Sequence, residues 1–127
     1  MNVGRWALFG LGVALILTPD LVFAHHGTAM FEMDHVTTIK GTVLDYQLIN
    51  PHVQMTLKVE QEAGNAVEWT VEAVSMNMMM RAGFRRDSVK AGDIVSVTGH
   101  PGKNGKTIIL LTKIALPDGR ELSAPYE

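Results

Sequence analysis

From Val53 to Ala73 apolar and polar residues alternate with a period of two. Val53, Met55, Leu57 and Val59 interleave with His52, Gln54, Thr56 and Lys58, and Val67, Trp69, Val71 and Ala73 interleave with Glu68, Thr70 and Glu72. Successive side chains of a strand point to opposite faces, so each run predicts a half-buried strand with one dry and one wet side. Glu62-Ala63-Gly64-Asn65 between them is a short turn, and the pair forms a β-hairpin. Upstream, Ile39-Gly41-Val43 and Leu44-Tyr46-Leu48 are both alternating apolar sets, but in opposite phase. One long strand satisfies both only if its inward face switches near Val43-Leu44, through a β-bulge or a sharp coil.

After Glu72 the period changes. Ser75 precedes Met76 to Arg85, a run of good helix formers with Gly83 as its natural terminator, which predicts one short helix. Met76, Met79 and Met80 share one face of that helix and are expected to fill the core, while Met78 points elsewhere. Lys90-Ala91-Gly92-Asp93 is a turn into an alternating strand from Ile94 to Gly99. Pro101-Gly102-Lys103-Asn104-Gly105 is a loop, Thr107 to Leu116 the next strand, and Pro117-Asp118-Gly119 a turn into a short tail at Arg120 to Leu122.

The amino-terminal stretch has a different character. Arg5 is followed by an uninterrupted apolar run of 12 residues, Trp6 to Leu17, then by the breaker Thr18-Pro19-Asp20 and by the small-residue positions Val22 and Ala24. A membrane span needs roughly 20 apolar residues. Residues 1–24 therefore have the form of a signal peptide cut after Ala24, giving a periplasmic or secreted protein with no transmembrane anchor after cleavage. The mature chain would run from His25 to Glu127. It would keep ten basic and twelve acidic residues once Arg5 and Asp20 are removed, a net charge of -2. That slight acidity argues against nucleic acid as a partner. The absence of cysteine excludes thiolate metal sites, iron–sulfur clusters and Cys-attached haem.

Three strands, a helix and two further strands within one core-sized segment are the element order of an OB-fold, a five-stranded Greek-key barrel with a strongly coiled first strand. The expected class is all-β with little α, with a tail over residues 25–36 and the barrel over residues 37–122. A β-sandwich is the rival, but it ordinarily has about seven strands and no central helix.

Several motifs also resemble a known family. His25-His26 after the leader, Phe31, Gly41-Thr42-Val43, Asn50-Pro51-His52, Glu68-Trp69, Gly92-Asp93 with Val95 and Val97, Gly99-His100-Pro101 and Pro117-Asp118-Gly119 are similar to the bacterial exported proteins of domain-of-unknown-function family 6152. The resemblance covers nearly the whole mature chain and implies no particular activity. The chain departs from the family's pattern at Met76 to Met80, where a Ser-Pro-type helix start and fewer methionines are expected.

The candidate chemistry rests on histidine. Cleavage after Ala24 would leave His25 at a free amino terminus, and an amine beside an imidazole is a compact nitrogen chelate that favours copper(II). His26 follows it. His52 lies in the turn between the first and second strands, and His100 at the connection to the last; both border the usual ligand face of an OB-fold. His25, His26, His52 and His100 are thus the candidate metal ligands, for copper first and zinc second, with Met30, Met33 and Met78 as weaker soft ligands. His35 is expected at the surface. The alternative is that the histidines only shape turns and the tail is merely soluble, leaving an interaction or assembly module for a protein of the cell envelope. A copper redox enzyme is a third reading. Catalysis has little else to rest on: Glu68 and Glu72 fall on the solvent phase of a strand, no pocket is indicated, no serine sits in a nucleophile elbow, and no phosphate-binding glycine loop is present. Arg81, Arg85 and Arg86 cluster near the helix end, a surface for anionic lipid or a partner.

Overall fold

A computed structural model describes residues 27–125. The predicted leader, its cleavage point and the His25-His26 pair lie outside these residues.

The alternation in sequence becomes strands where it was expected. β1 is Thr37–Gln47, β2 Gln54–Glu60 and β3 Ala66–Glu72; α1 is Met76–Arg81; β4 is Ile94–Pro101, β5 Ile108–Ala115 and β6 Glu121–Ser123. β1 pairs with β2 and β4, β2 with β3, and β4 with β5, all antiparallel. A parallel pairing of Thr70, Val71 and Glu72 with Ile108, Ile109 and Leu110 closes the ring. The circuit β1-β2-β3-β5-β4-β1 is a closed five-stranded barrel with one short helix between the third and fourth strands, an OB-fold architecture.

Two bulges let the strands coil around the barrel. In β1, Val43 pairs with Leu57 and Asp45 with Thr56, so Leu44 is the additional residue. Val43 is buried and Leu44 is exposed, and Leu48 returns to the core. This is the switch of inward face required by the two opposed apolar sets. The second bulge lies where Thr98 pairs with Lys113 but Gly99 with Leu111. Thr112 is the additional residue there, and its hydroxyl donates to the Thr98 carbonyl at 3.0 Å.

α1 ends as its sequence dictates, though earlier than expected. Gly83 has φ +98°, a left-handed conformation that glycine adopts without a Cβ penalty. Its N–H donates to the Met80 carbonyl and that of Phe84 to the Met79 carbonyl, the two bonds of a Schellman motif. Met79 and Phe84 are both fully buried. Expectation and structure part over the helix face: Met79 is in the core and Met76 packs against it, but Met80 is 42 % exposed. Consecutive residues of a helix are about 100° apart, so with Met79 facing the core Met80 turns toward solvent.

Two segments expected as tails are built into the fold. Arg120 to Leu122 was expected to trail away; instead Glu121–Ser123 pairs with Lys113–Ala115 as β6, and Ala124 is buried. Before β1, Phe31 forms a bridge with Gly102 and is 1 % exposed. The Glu32 N–H donates to the Pro101 carbonyl, the Lys103 N–H to the Met30 carbonyl, and Lys103 Nζ to the Ala29 carbonyl. Residues 29–32 are a strap sewn onto the β4–β5 connection. No polar or charged residue is fully buried among the described residues, and Tyr46, packed against the core, is the partly buried side chain whose polar atom reaches inward. Nor, among those residues, is any helix long and apolar enough to cross a membrane.

Candidate functional site

The strap brings the candidate residues together. β2 and β3 continue their register beyond Gln54 and Glu72: the Ala73 N–H donates to the Val53 carbonyl and the Val53 N–H to the Val74 carbonyl. This holds His52, directly after the cis Asn50–Pro51 bond, beside Val74 at the start of the helical connection. Glu72 pairs with Leu110 on β5. Across this corner of the barrel runs the strap. The result is a cleft of about 350 Å³ lined by Gly27, Thr28, Met30, His52, Glu72, Ala73, Val74, Met78 and Leu110.

Three sequence-distant candidates therefore line one cavity: Met30 from the strap, His52 from the β1–β2 loop and Met78 from α1. His52 is exposed, Met30 is 36 % exposed and Met78 is partly buried. Glu72, taken from sequence as a residue of a solvated strand face, is also in the wall. Alternation alone had no means of showing this, because the opposite wall comes from residues 27–30 and from β5. The lining residues include two methionines, a histidine and a glutamate beside apolar neighbours. Thioether and imidazole together suit copper(I), and imidazole with carboxylate suits zinc.

The other candidates lie elsewhere. His100 is on β4 and not in a loop; its Nδ1 stands 2.7 Å from the His35 carbonyl oxygen. A carbonyl only accepts, so Nδ1 carries the proton and His100 pins the chain just before β1. Met33 is 43 % exposed and does not line the cleft. Among the described residues no three His, Asp or Glu side chains converge, so His35, His52 and His100 do not form a cluster of their own. His25 and His26 lie outside the described residues, and Gly27, which follows them, is in the cleft wall.

A second cavity of about 500 Å³ adjoins α1, lined by Met78, Arg81, Ala82 and Pro125. Met78 is common to both. Of the three arginines near the helix end, Arg85 is occupied in capping: its guanidinium donates to the Met80 and Phe84 carbonyls, each at 2.8 Å.

Comparison with known proteins adds a family and a fold likeness. The family described as a family of unknown function (DUF6152) matches residues 14–111. No curated protein matches the chain in sequence. Among solved structures, the mitochondrial single-stranded DNA binding protein Rim1 from S. cerevisiae is similar at 12 % identity and a TM-score of 0.49, over 65 % of this chain and 94 % of that one.

Proposed function

The chain belongs to the family of unknown function DUF6152, and we propose that it is an exported metal-binding protein whose cleft beside His52 takes copper in preference to zinc. The observation that carries this reading is the meeting of Met30, His52 and Met78 in one cavity. They come from three parts of the chain, and a pair of thioethers beside an imidazole is a soft donor set. Gly27 in the same wall is covalently next to His26, with consecutive Cα atoms about 3.8 Å apart. Copper(I) is the state matched to the described cleft, and copper(II) the state matched to a free His25 amine and imidazole.

The test is to express the full gene product, verify the first residue of the purified protein, and titrate copper(I) anaerobically against a chromophoric competitor, with copper(II) and zinc in parallel. Tight copper(I) binding is expected. Replacement of His52 by Ala, or of Met30 and Met78 by Leu, should weaken it at least about tenfold. One extra residue before His25 should weaken copper(II) and leave copper(I) little changed. Copper(I) binding no tighter than that of a peptide spanning residues 25–34 would sink the proposal and leave the metal-free envelope-interaction module as the better account.

A further inference from the structure

We propose that Met30 and Met78 are a site of reversible sulfoxidation by peroxide, and that the sulfoxides switch off metal binding in the cleft; this rests on the copper reading above. The chain has eight methionines and no cysteine, so thioethers stand where other proteins offer thiols to an oxidant. Their surroundings divide them. Met55 and Met79 are 4 % and 0 % exposed, out of reach of a peroxide in solution. Met33 and Met80 are open to solvent but outside the cleft. Met30 is exposed at the cleft, and Met78 lines the cleft on one side and the Arg81 cavity on the other.

The chemistry is balanced and local. A sulfur lone pair attacks one oxygen of hydrogen peroxide, the O–O bond breaks, and the departing hydroxide takes up the remaining proton as water. The thioether is oxidised by two electrons and the peroxide reduced by two. A sulfoxide reductase drawing on a dithiol returns the oxygen as water. The product is a polar group whose hard oxygen is a poor ligand for copper(I). At Met78 that oxygen is a strong acceptor, and the second cavity that Met78 shares with Arg81 offers the oxidised side chain a place to turn away from the metal cleft.

The experiment treats the full-length gene product, metal-free, with graded hydrogen peroxide, maps sulfoxides by peptide mass spectrometry, and measures copper(I) affinity on each sample. Silver(I), a redox-inert substitute for copper(I), serves as the protecting ion. Met30 and Met78 should oxidise ahead of Met55 and Met79. Copper(I) affinity should fall at least about tenfold in step with them. Silver(I) should protect Met30 and Met78 but not Met33 and Met80, and methionine sulfoxide reductases should restore binding. A variant with Met33 and Met80 both replaced by Leu should keep the whole response. If untreated protein binds copper(I) and still does so with Met30 and Met78 as sulfoxides, the switch is wrong and the copper site stands. If oxidation is confined to Met33 and Met80, the switch is again wrong. If untreated protein binds neither ion, the copper reading falls and takes the switch with it.

Discussion

The imidazole Nδ1 of His100 donates to the backbone carbonyl of His35, 2.7 Å away, so a β4 side chain holds the residue two positions before β1. A role in holding the chain between the strap and β1 follows for a residue that its type alone would offer as a ligand. His100→Ala should cost about 1 kcal/mol in urea unfolding and speed hydrogen exchange at the strap-bonded amides of Glu32 and Lys103. His52→Ala should leave those amides alone. Unchanged exchange in the His100 variant would refute the assignment.

Tyr46 presents the opposite case, a polar atom without a role. Its hydroxyl is buried and has no hydrogen-bond partner among the described residues, and burial raises its pKa above the ordinary tyrosine value. An orphaned polar group carries a desolvation penalty with nothing to offset it. Tyr46→Phe is therefore expected to be neutral or to stabilise by up to about 1 kcal/mol. A clear loss of stability in thermal unfolding would mean that the hydroxyl has a partner in solution.

Gly99 sits at the second bulge, where a Cβ would drive into the Leu110 backbone carbonyl. Backbone on both sides cannot move aside as a side-chain tip can. Gly99→Ala should destabilise by at least about 3 kcal/mol or prevent folding. Gly27→Ala, whose Cβ meets nothing within 4 Å among the described residues, is the matched control. Equal melting temperatures for the two would contradict the register described for β4 and β5.

The short helix offers a paired test. Met79→Ala removes a fully buried side chain from the core and should cost about 2–5 kcal/mol. Met80→Ala, one residue on, should stay within about 0.5 kcal/mol of wild type. Similar losses at both would restore the three-methionine stripe expected from helical spacing.

Asp118 titrates out of the ordinary range. The Arg120 N–H at 2.9 Å, and then the Arg120 Nε at 2.6 Å, hold its carboxyl below the usual aspartate pKa. With the folded pKa depressed, any stabilisation is present above the unfolded value and lost as pH falls through the folded one. The group is fully exposed, so the observable is the titration itself. Carboxyl chemical shifts should place Asp118 below the ordinary aspartate value, and Arg120→Ala should bring it part of the way back, since the backbone donor remains.

Much of the barrel was legible because strand alternation is a local signal. The opposed phases around Val43-Leu44 marked where the inward face switches, leaving a bulge or a coil open, and Gly83 marked the end of α1. Failures occurred where a segment's fate depends on what it docks against. Arg120 to Leu122 has too few residues to show a period, and it becomes a strand only because β5 offers it an edge. Phe31 is an isolated apolar residue until Gly102 receives it. The candidate site was half legible for the same reason. His52, Met30 and Met78 could be singled out as chemistry-bearing, but their convergence, and the place of Glu72 beside them, is a property of barrel closure. His100 was misplaced because its connection to β5 extends the strand through Pro101, and its partner is a carbonyl no side-chain motif reveals.

β5 pairs with β3, β4 and β6, and this has a consequence for a chain synthesised from its amino terminus. Residues up to Pro101 can assemble β1 to β4, yet the edges of β3 and β4 stay unpaired until Ile108–Ala115 arrives. Unpaired edges template strand addition by other chains. The nascent domain is thus at its most adhesive just before completion, and one late strand ends that exposure on both edges at once.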